Sequence, residues 1–146
     1  LGAMAGIIGT IPSFILNFTL VQLGIAKYYT SQIASSVHLF EKFTDTLLGT
    51  IIGISLWLVA SGILGTILVY IFRLTGRDYW WIKGILVIMG LMYITIYGFL
   101  FNIGAMITPH DVTTNVVLLI DNLLFALTTP YLIVRWWGEE LESGTL

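Results

Sequence analysis

The 146-residue chain has the composition of a membrane protein: 58% of its residues are hydrophobic, 10% are charged, and its mean hydropathy is +0.97. A soluble domain carries roughly a quarter of its residues charged, so an ordinary soluble domain is excluded. The formal net charge of -2, with six Lys and Arg in all, offers no basic stripe for phosphate groups, and nucleic acid is not an expected partner. The absence of cysteine excludes disulfides, thiolate metal sites and a Cys nucleophile.

Charged residues divide the chain into four long runs that are uncharged or nearly so. A helix needs about 20 residues to cross a hydrocarbon core of about 30 Å, and each run is long enough. The sequence therefore predicts an all-α, polytopic membrane protein with four transmembrane helices in a bundle, in a single transmembrane domain over residues 1–137. The spans are predicted at about 1–26, 46–72, 83–108 and 113–135, followed by a polar acidic tail at 138–146.

The loop between the second and third spans predicts the orientation of the chain. Residues 73–83 hold three of the six basic residues, and loops rich in Lys and Arg stay on the cytoplasmic side. With four spans, both termini then lie in the cytoplasm as well. We therefore expect a multi-pass protein of the plasma membrane whose first and third connections face outward.

Between the first two spans, residues 27–45 are too polar to cross a membrane. Tyr29, Ile33, Val37 and Phe40 recur in this segment at helical spacing. The pattern predicts a short amphipathic helix over about residues 30–44 that lies on the outer surface. It is either a lid or docking helix for a partner, or a connector whose apolar face rests in lipid or on the bundle.

Small residues at close spacing predict where the helices pack, because lipid tails do not drive helices together and backbones must approach closely. The predicted packing residues are Gly2, Gly6, Gly49, Gly53, Gly90 and Gly104. In the third span Tyr97 lies midway between Gly90 and Gly104. We interpret Tyr97 as a ring packed against a glycine groove, with an aromatic ligand site as the alternative. The pattern leaves open whether the partner helix belongs to the same chain.

Asp121 is the acidic residue placed within a predicted span, where an ionised carboxylate costs about 2.5–3.5 kcal/mol on insertion scales. Its candidate polar partners in the spans are Asn122, Asn17 and Asn102. One hypothesis is a polar cluster of Asp121 with Asn17 or Asn102 that lines a proton or ion path. The other is a carboxyl group that bonds neighbouring helices together.

A second cluster is predicted on the outer side of the membrane. His38, Glu41 and Asp45 share one side of a continuous helix, and His110 and Asp111 lie in the other outer loop. Imidazoles and carboxylates suit zinc or another divalent metal. Helix capping by Asp45 and Asp111, together with solvation, explains the same residues without a metal.

Three segments, residues 5–9, 23–28 and 74–84, read AGIIG, LGIAKY and LTGRDYWWIKG. In these segments the chain resembles a family of small uncharacterised four-helix membrane proteins of Gram-positive (Firmicutes-type) bacteria. The similarity covers most of the chain. The resemblance implies a four-helix protein, and it implies neither an activity nor functional residues.

No nucleophile elbow, P-loop, dinucleotide fingerprint or metalloprotease motif occurs in the sequence, so we expect neither an enzyme nor a cofactor. The leading hypothesis is a non-enzymatic integral membrane protein that acts by association, as an accessory subunit of a membrane complex or as a self-associating bundle. Its partners would be the lipid bilayer and either further copies, in a homo-oligomer, or other membrane subunits. The alternative is a small oligomeric transporter or channel with a polar path at Asp121, and a third hypothesis is an outer-face metal-dependent enzyme.

Overall fold

The computed structural model describes residues 1–142, which form helices and connecting loops with no β-strand in that part of the chain. Four helical spans are long and apolar enough to cross a membrane: Gly2–Gln22, Leu47–Thr75, Trp80–Gly104 and Val112–Gly138. The predicted all-α fold with four transmembrane helices is confirmed. The first span ends four residues before the predicted boundary at residue 26, so the connection to the second span is longer than expected.

The first span is interrupted at Thr10, between α1 (Gly2–Gly9) and α2 (Ile11–Gln22). Pro12 lies in the first turn of α2, where a missing backbone N–H is tolerated. Neighbouring spans satisfy the polar groups of the interruption: Thr128 Oγ1 donates to the Gly9 carbonyl oxygen at 2.5 Å, and Trp57 Nε1 donates to Thr10 Oγ1 at 2.6 Å. The interruption is therefore a fixed joint between three spans.

The connection between the first two spans is not the single amphipathic helix over 30–44 that its sequence predicts. It contains α3 (Thr30–Ser35) and α4 (Glu41–Thr44), with non-helical chain between them. α3 packs against the second span, α5 (Leu47–Thr75), and buries Ile33 completely. The close approach is possible because Gly53 of α5 has no side chain where the Ser31 carbonyl oxygen lies.

Both ends of α5 are capped. Thr46 Oγ1 accepts a hydrogen bond from the Gly49 N–H at 3.1 Å, so Thr46 is the N-cap, where the sequence had indicated Asp45. At the other end Lys83 Nζ donates to the carbonyl oxygens of Thr75 and Gly76 at 3.1 and 2.9 Å. A cation on these last carbonyl groups favours the helix end, and it ties the basic loop to the start of the third span.

The third span changes its helical pitch. α6 (Trp80–Ile88) continues into a π-helical segment, Met89–Leu100, and ends with α7 (Phe101–Gly104). The hydroxyl of Thr95 donates to the Gly90 carbonyl oxygen five residues earlier, as the wider turn allows. Short π-helical insertions occur frequently at functional sites.

The fourth span is α8 (Val112–Glu142), which packs against the first and third spans. Pro130 lies inside this helix and fits over Gly84 of α6, whose missing side chain leaves room for the proline ring. The helix continues through Glu142, so the predicted polar tail begins as helix, and residues 143–146 lie outside the described part.

Glycine contacts join the first two spans within the chain. Gly2 and Gly6 pack on the backbone of α5 near Gly65 and Ser61, and Gly49 faces the backbone of Phe43 in the preceding connection. Apart from their chain neighbours and the nearby backbone of their own helix, no described atom lies within 4 Å of a Cβ built at Gly90 or Gly104. The predicted groove for the Tyr97 ring is therefore not formed by these two glycines.

Candidate functional site

A polar centre lies inside the bundle around Asp121, which is 3% exposed. Asn17 of the first span faces this carboxyl. The Asn17 Oδ1 atom accepts a hydrogen bond at 2.8 Å from the N–H of Thr30, which fixes its amide orientation and directs Nδ2 toward Asp121. Asp121 is nine residues into α8, or about 14 Å along the helix axis. The sequence prediction that Asp121 and Asn17 lie together agrees with this placement.

The third and second spans contribute aromatic residues to the same centre. Tyr97 lies within electrostatic reach of the Asp121 carboxyl. Its ring centroid lies 6.0 Å from that of Trp57 and 4.9 Å from that of Phe101, in an edge-to-face arrangement with the latter. All four spans therefore supply a side chain to the polar centre or to its border. Sequence reasoning treated Tyr97 as packing and did not single out Trp57, because both lie in apolar runs that carry no signal of a polar neighbour.

Several buried polar atoms of the bundle have no hydrogen-bond partner within the described part of the chain. They are Ser13 Oγ, Asn17 Nδ2, Ser61 Oγ, Tyr97 OH, both carboxyl oxygens of Asp121, Asn122 Oδ1 and Thr129 Oγ1. An unsatisfied buried polar group costs about 1–3 kcal/mol, and more when it is charged. Such atoms in a folded protein call for a water, an ion or a ligand that completes them.

These atoms follow the first span from one side of the bundle toward the other. Asn17 faces Asp121, Ser13 lies one turn further along, Gly9 packs on Thr129, and Gly6 packs beside Ser61. From Asn17 to Gly6 the helical rise covers about 17 Å, more than half of a hydrocarbon core. Unsatisfied atoms are thus found at several depths of the bundle beside the first span.

A cavity of about 210 Å³, which we call the vestibule, lies on the side of the bundle where the connections 23–46 and 105–111 are found. Its lining includes Tyr93, Tyr97, Phe101, Asn102, His110 and Asn115. His110 is exposed and belongs to the mouth. Tyr97 and Leu118 connect the vestibule to the polar centre, since Tyr97 lies within electrostatic reach of Asp121 and Leu118 precedes Asp121 by about one helical turn.

Asn102 and Asn122 do not complete the cluster as the sequence proposed. Asn102 is exposed and donates to the Gly98 carbonyl oxygen at 3.1 Å, so it lines the vestibule rather than the polar centre. Asn122 is 1% exposed and donates to the Leu118 carbonyl oxygen of its own helix at 2.7 Å.

The five predicted metal ligands are dispersed. His38 lies beside Trp57 and Met92, Glu41 and Asp45 lie along a shallow surface groove, and His110 lies at the vestibule. Within residues 1–138 no group of three or more His, Asp or Glu side chains is placed to hold a metal ion. The helix over 30–44 that would have aligned His38, Glu41 and Asp45 is not continuous, which removes the geometric basis of the prediction.

Asp111 instead caps the fourth span. Its Oδ2 atom accepts hydrogen bonds from Thr114 Oγ1 at 2.7 Å and from the Thr114 N–H at 3.0 Å, and its Oδ1 atom lies 3.7 Å from Lys27 Nζ. The bond from the Thr114 hydroxyl contributes most to lowering the pKa of Asp111 below its ordinary value, followed by the backbone bond. The capping role that the sequence offered for Asp111 agrees with this geometry.

Comparisons of the chain with family models, with curated proteins and with solved structures gave no significant match.

Proposed function

We propose that this chain is a non-enzymatic integral membrane protein that moves a small cation, the proton included, along a polar path through its own four helices. The observation that carries the proposal is the Asp121 carboxyl, which is buried within the bundle and is faced by the Asn17 amide, but neither of whose oxygens has a well-formed hydrogen bond within residues 1–138. Membrane-embedded carboxyl groups commonly mark proton and ion pathways.

The charge of Asp121 is the first step of the argument. An ionised carboxylate in hydrocarbon costs about 2.5–3.5 kcal/mol on insertion scales. A basic side chain would offset this cost, but no ion pair to Asp121 is present within residues 1–138, where Lys27 is instead paired with Asp111 outside the spans. A proton or another small cation is therefore the group expected to neutralise Asp121.

Access to Asp121 is the second step. The vestibule brings solvent-accessible space as far as Tyr97, and the unsatisfied hydroxyl groups of Ser13, Thr129 and Ser61 lie at further depths of the bundle beyond the carboxyl. Water molecules bonded to these hydroxyls would relay a proton or solvate a cation. The path lies within one chain, whereas the sequence had led us to expect a path between several copies.

Vesicle flux measurements test this proposal. The purified full chain is reconstituted into liposomes, and H⁺, Na⁺ and K⁺ gradients are followed separately for the wild type, Asp121→Asn and the control Asp78→Asn. Asp78 is an exposed carboxylate of the basic loop, and its substitution matches the chemical change at Asp121. We expect flux in the wild type and Asp78→Asn, and the background of protein-free vesicles in Asp121→Asn. A wild type at background, or equal flux in Asp121→Asn, would overturn the proposal.

A second function, association with further copies of the chain, is favoured by the lipid-facing side of the third span. Gly90 and Gly104 have open space around them, and Ile94, Phe99 and Ile103 of this span are exposed. Open glycines let a further helix approach closely. At most other glycines of the spans, the space beside the backbone is filled by contacts inside the chain. A helix of a partner therefore cannot approach closely at those positions.

The mass of the intact complex from gently solubilised membranes tests this second function. Association through the third span predicts a homo-oligomer that Gly90→Leu with Gly104→Leu reduces to the monomer. Leu74→Ala, at a position 86% exposed on α5, should leave the mass unchanged. A wild-type monomer, or a fixed ratio with a different membrane protein, would contradict self-association, and the second result would instead favour an accessory subunit.

We also propose that the chain resides in the plasma membrane of a Gram-positive-type bacterium with both termini in the cytoplasm. The support is the basic segment 73–83: Arg73, in the last turn of α5, has its guanidinium 5.7 Å from the Trp137 ring, toward the C-terminal end of α8 and so away from the connection 105–111 that borders the vestibule. The cysteine-free sequence allows a direct test with single cysteines and a membrane-impermeant maleimide. His110→Cys should react in intact cells and Asp78→Cys only after permeabilisation, and the reverse pattern would invert the orientation.

A further inference from the structure

We propose that the vestibule is a binding site for a small organic ammonium ion, with the Asp121 carboxylate as its counter-charge. The inference deepens the proposed function and rests on it, because the same carboxyl serves both, and it adds the chemical class of the cation. Its basis is the combination of cavity size, aromatic lining, absence of competing cations and proximity to Asp121.

The size of the vestibule limits the ligand to a compact molecule. A dry protein cavity of about 150 Å³ holds benzene. With a volume of about 210 Å³, the vestibule accommodates a molecule of that size or somewhat larger. Small quaternary and primary amines fall in this range, whereas nucleotides and peptides do not.

The aromatic side chains of the lining favour a cation. Tyr93, Tyr97 and Phe101 all contribute to the walls. The Tyr97 and Phe101 rings stand at 70° to each other with centroids 4.9 Å apart, so the edge of one ring packs against the face of the other at the wall of the vestibule. Ring faces attract ammonium groups through their negative quadrupole, and cages of several rings are the usual site for quaternary ammonium ligands.

The polar groups of the lining disfavour an anion. None of the residues that line the vestibule is Lys or Arg, and His110 lies at its mouth. The nearby Lys27 ammonium group is paired with Asp111 at 3.7 Å. The amide nitrogen of Asn115 is engaged by the carbonyl oxygens of Pro109 and Asp111, and that of Asn102 by Gly98. The vestibule thus has few donors left for a negatively charged ligand.

The negative charge that would complement an ammonium ion is the Asp121 carboxyl, which lies one helical turn beyond Leu118, a residue of the vestibule lining. Tyr97 belongs to both places: its ring lines the vestibule, and it interacts electrostatically with Asp121. The π-helical segment Met89–Leu100 holds both Tyr93 and Tyr97. An ionised carboxylate in a site of low dielectric constant acts over a longer distance than it would in water. A cation in the vestibule would therefore be attracted to an ionised Asp121 without direct contact.

Calorimetric titration of the full chain in lipid nanodiscs tests the inference with a matched pair of probes. Choline carries a quaternary ammonium group, and 3,3-dimethylbutan-1-ol is its uncharged carbon isostere. We expect the wild type to bind choline about tenfold or more tightly than the isostere, a ratio in the range of cation–π and charge contributions. Equal affinities, or no saturable binding of choline by the wild type, would overturn the inference.

Variants separate the charge from the rings. Asp121→Asn should reduce the preference for choline to near unity, Asp121→Glu should retain it, and Phe101→Leu should weaken choline more than the isostere. Asp78→Asn serves as the control. Thermal unfolding of each variant confirms that it is folded, and an unchanged preference in folded Asp121→Asn and Phe101→Leu would contradict the site.

The two proposals fail in distinguishable ways. Inorganic cation flux that depends on Asp121, without choline binding, would remove the ammonium site and leave the proposed function. Choline binding that depends on Asp121 and Phe101, without flux of any cation, would remove the transport function and leave a cation-binding membrane protein.

Discussion

Asn17 accepts a hydrogen bond from the backbone N–H of Thr30 at 2.8 Å and so joins the first span to the connecting segment that follows it. The same bond directs the Asn17 amide nitrogen toward Asp121. One side chain therefore holds α3 against the bundle and orients the polar centre. Because Asn17 has both roles, its effect on the stability of the fold should be measured separately from its effect on transport.

Replacement of Asn17 by Ala should destabilise the fold. The Thr30 N–H is buried, and removal of its acceptor leaves it unsatisfied at a cost of about 1–3 kcal/mol. Thermal unfolding in detergent measures the loss. Asn102→Ala is the control, because Asn102 is exposed and a surface change of this kind alters stability by less than about 0.5 kcal/mol. Equal unfolding temperatures for Asn17→Ala and Asn102→Ala would show that the Thr30 bond does not matter.

The sequence predicted the four spans well because charged residues separate them. Hydropathy depends on local composition, which a single sequence contains in full. The pairing of Asp121 with Asn17 was also accessible, since few polar residues lie in the spans and each needs a partner.

The connecting segment and the vestibule could not be predicted in the same way. Ile33 recurs in a pattern typical of a surface helix, yet its burial depends on Gly53 of another span, which no local pattern reveals. The π-helical pitch of Met89–Leu100 shifts the direction of Tyr93 and Tyr97 relative to an α-helix. A projection with 3.6 residues per turn therefore assigns these rings to the wrong surroundings.

Gly53→Ala should destabilise the protein more than Gly62→Ala, although both glycines lie in α5. A Cβ at Gly53 would collide with the Ser31 carbonyl oxygen, whereas the nearest atom to a Cβ at Gly62 is the Ala3 carbonyl oxygen at 3.7 Å. Overpacking of this kind costs about 1–3 kcal/mol, and backbone cannot move aside as a flexible side chain does. Unfolding temperatures of the two variants provide the comparison. Similar values would mean that α3 detaches from α5 at little cost.

Trp57→Phe should lower stability through the joint in the first span. The Trp57 Nε1 atom donates to Thr10 Oγ1 at 2.6 Å, and Thr10 is 1% exposed. Loss of one such bond costs about 0.5–1.5 kcal/mol, with a further penalty for the smaller ring. Trp81→Phe is the matched control, because Trp81 is 47% exposed. The indole ring of Trp57 also lies near Tyr97, so a change in choline binding by Trp57→Phe would be interpreted only after the folded fraction is known.

The stability of the outer cap should depend on pH through Asp111. Hydrogen bonds from Thr114 and the nearby Lys27 lower the pKa of Asp111 in the folded state below its ordinary value of 3.8. A carboxyl whose folded pKa is depressed stabilises the fold above the unfolded pKa, and this contribution disappears as the pH falls through the folded pKa.

The difference in unfolding temperature between the wild type and Asp111→Asn should therefore be constant near neutral pH and shrink as the pH is lowered below about 4. Thr114→Val removes the largest cause of the lowered pKa of Asp111. The unfolding temperature of Thr114→Val should therefore exceed that of Asp111→Asn by less than the wild type does. This smaller excess should also disappear at a higher pH than the excess of the wild type. If the wild type remained more stable than Asp111→Asn by the same amount at low pH, the cap would act through packing. A cap that depends on the ionised carboxylate weakens when Asp111 is protonated.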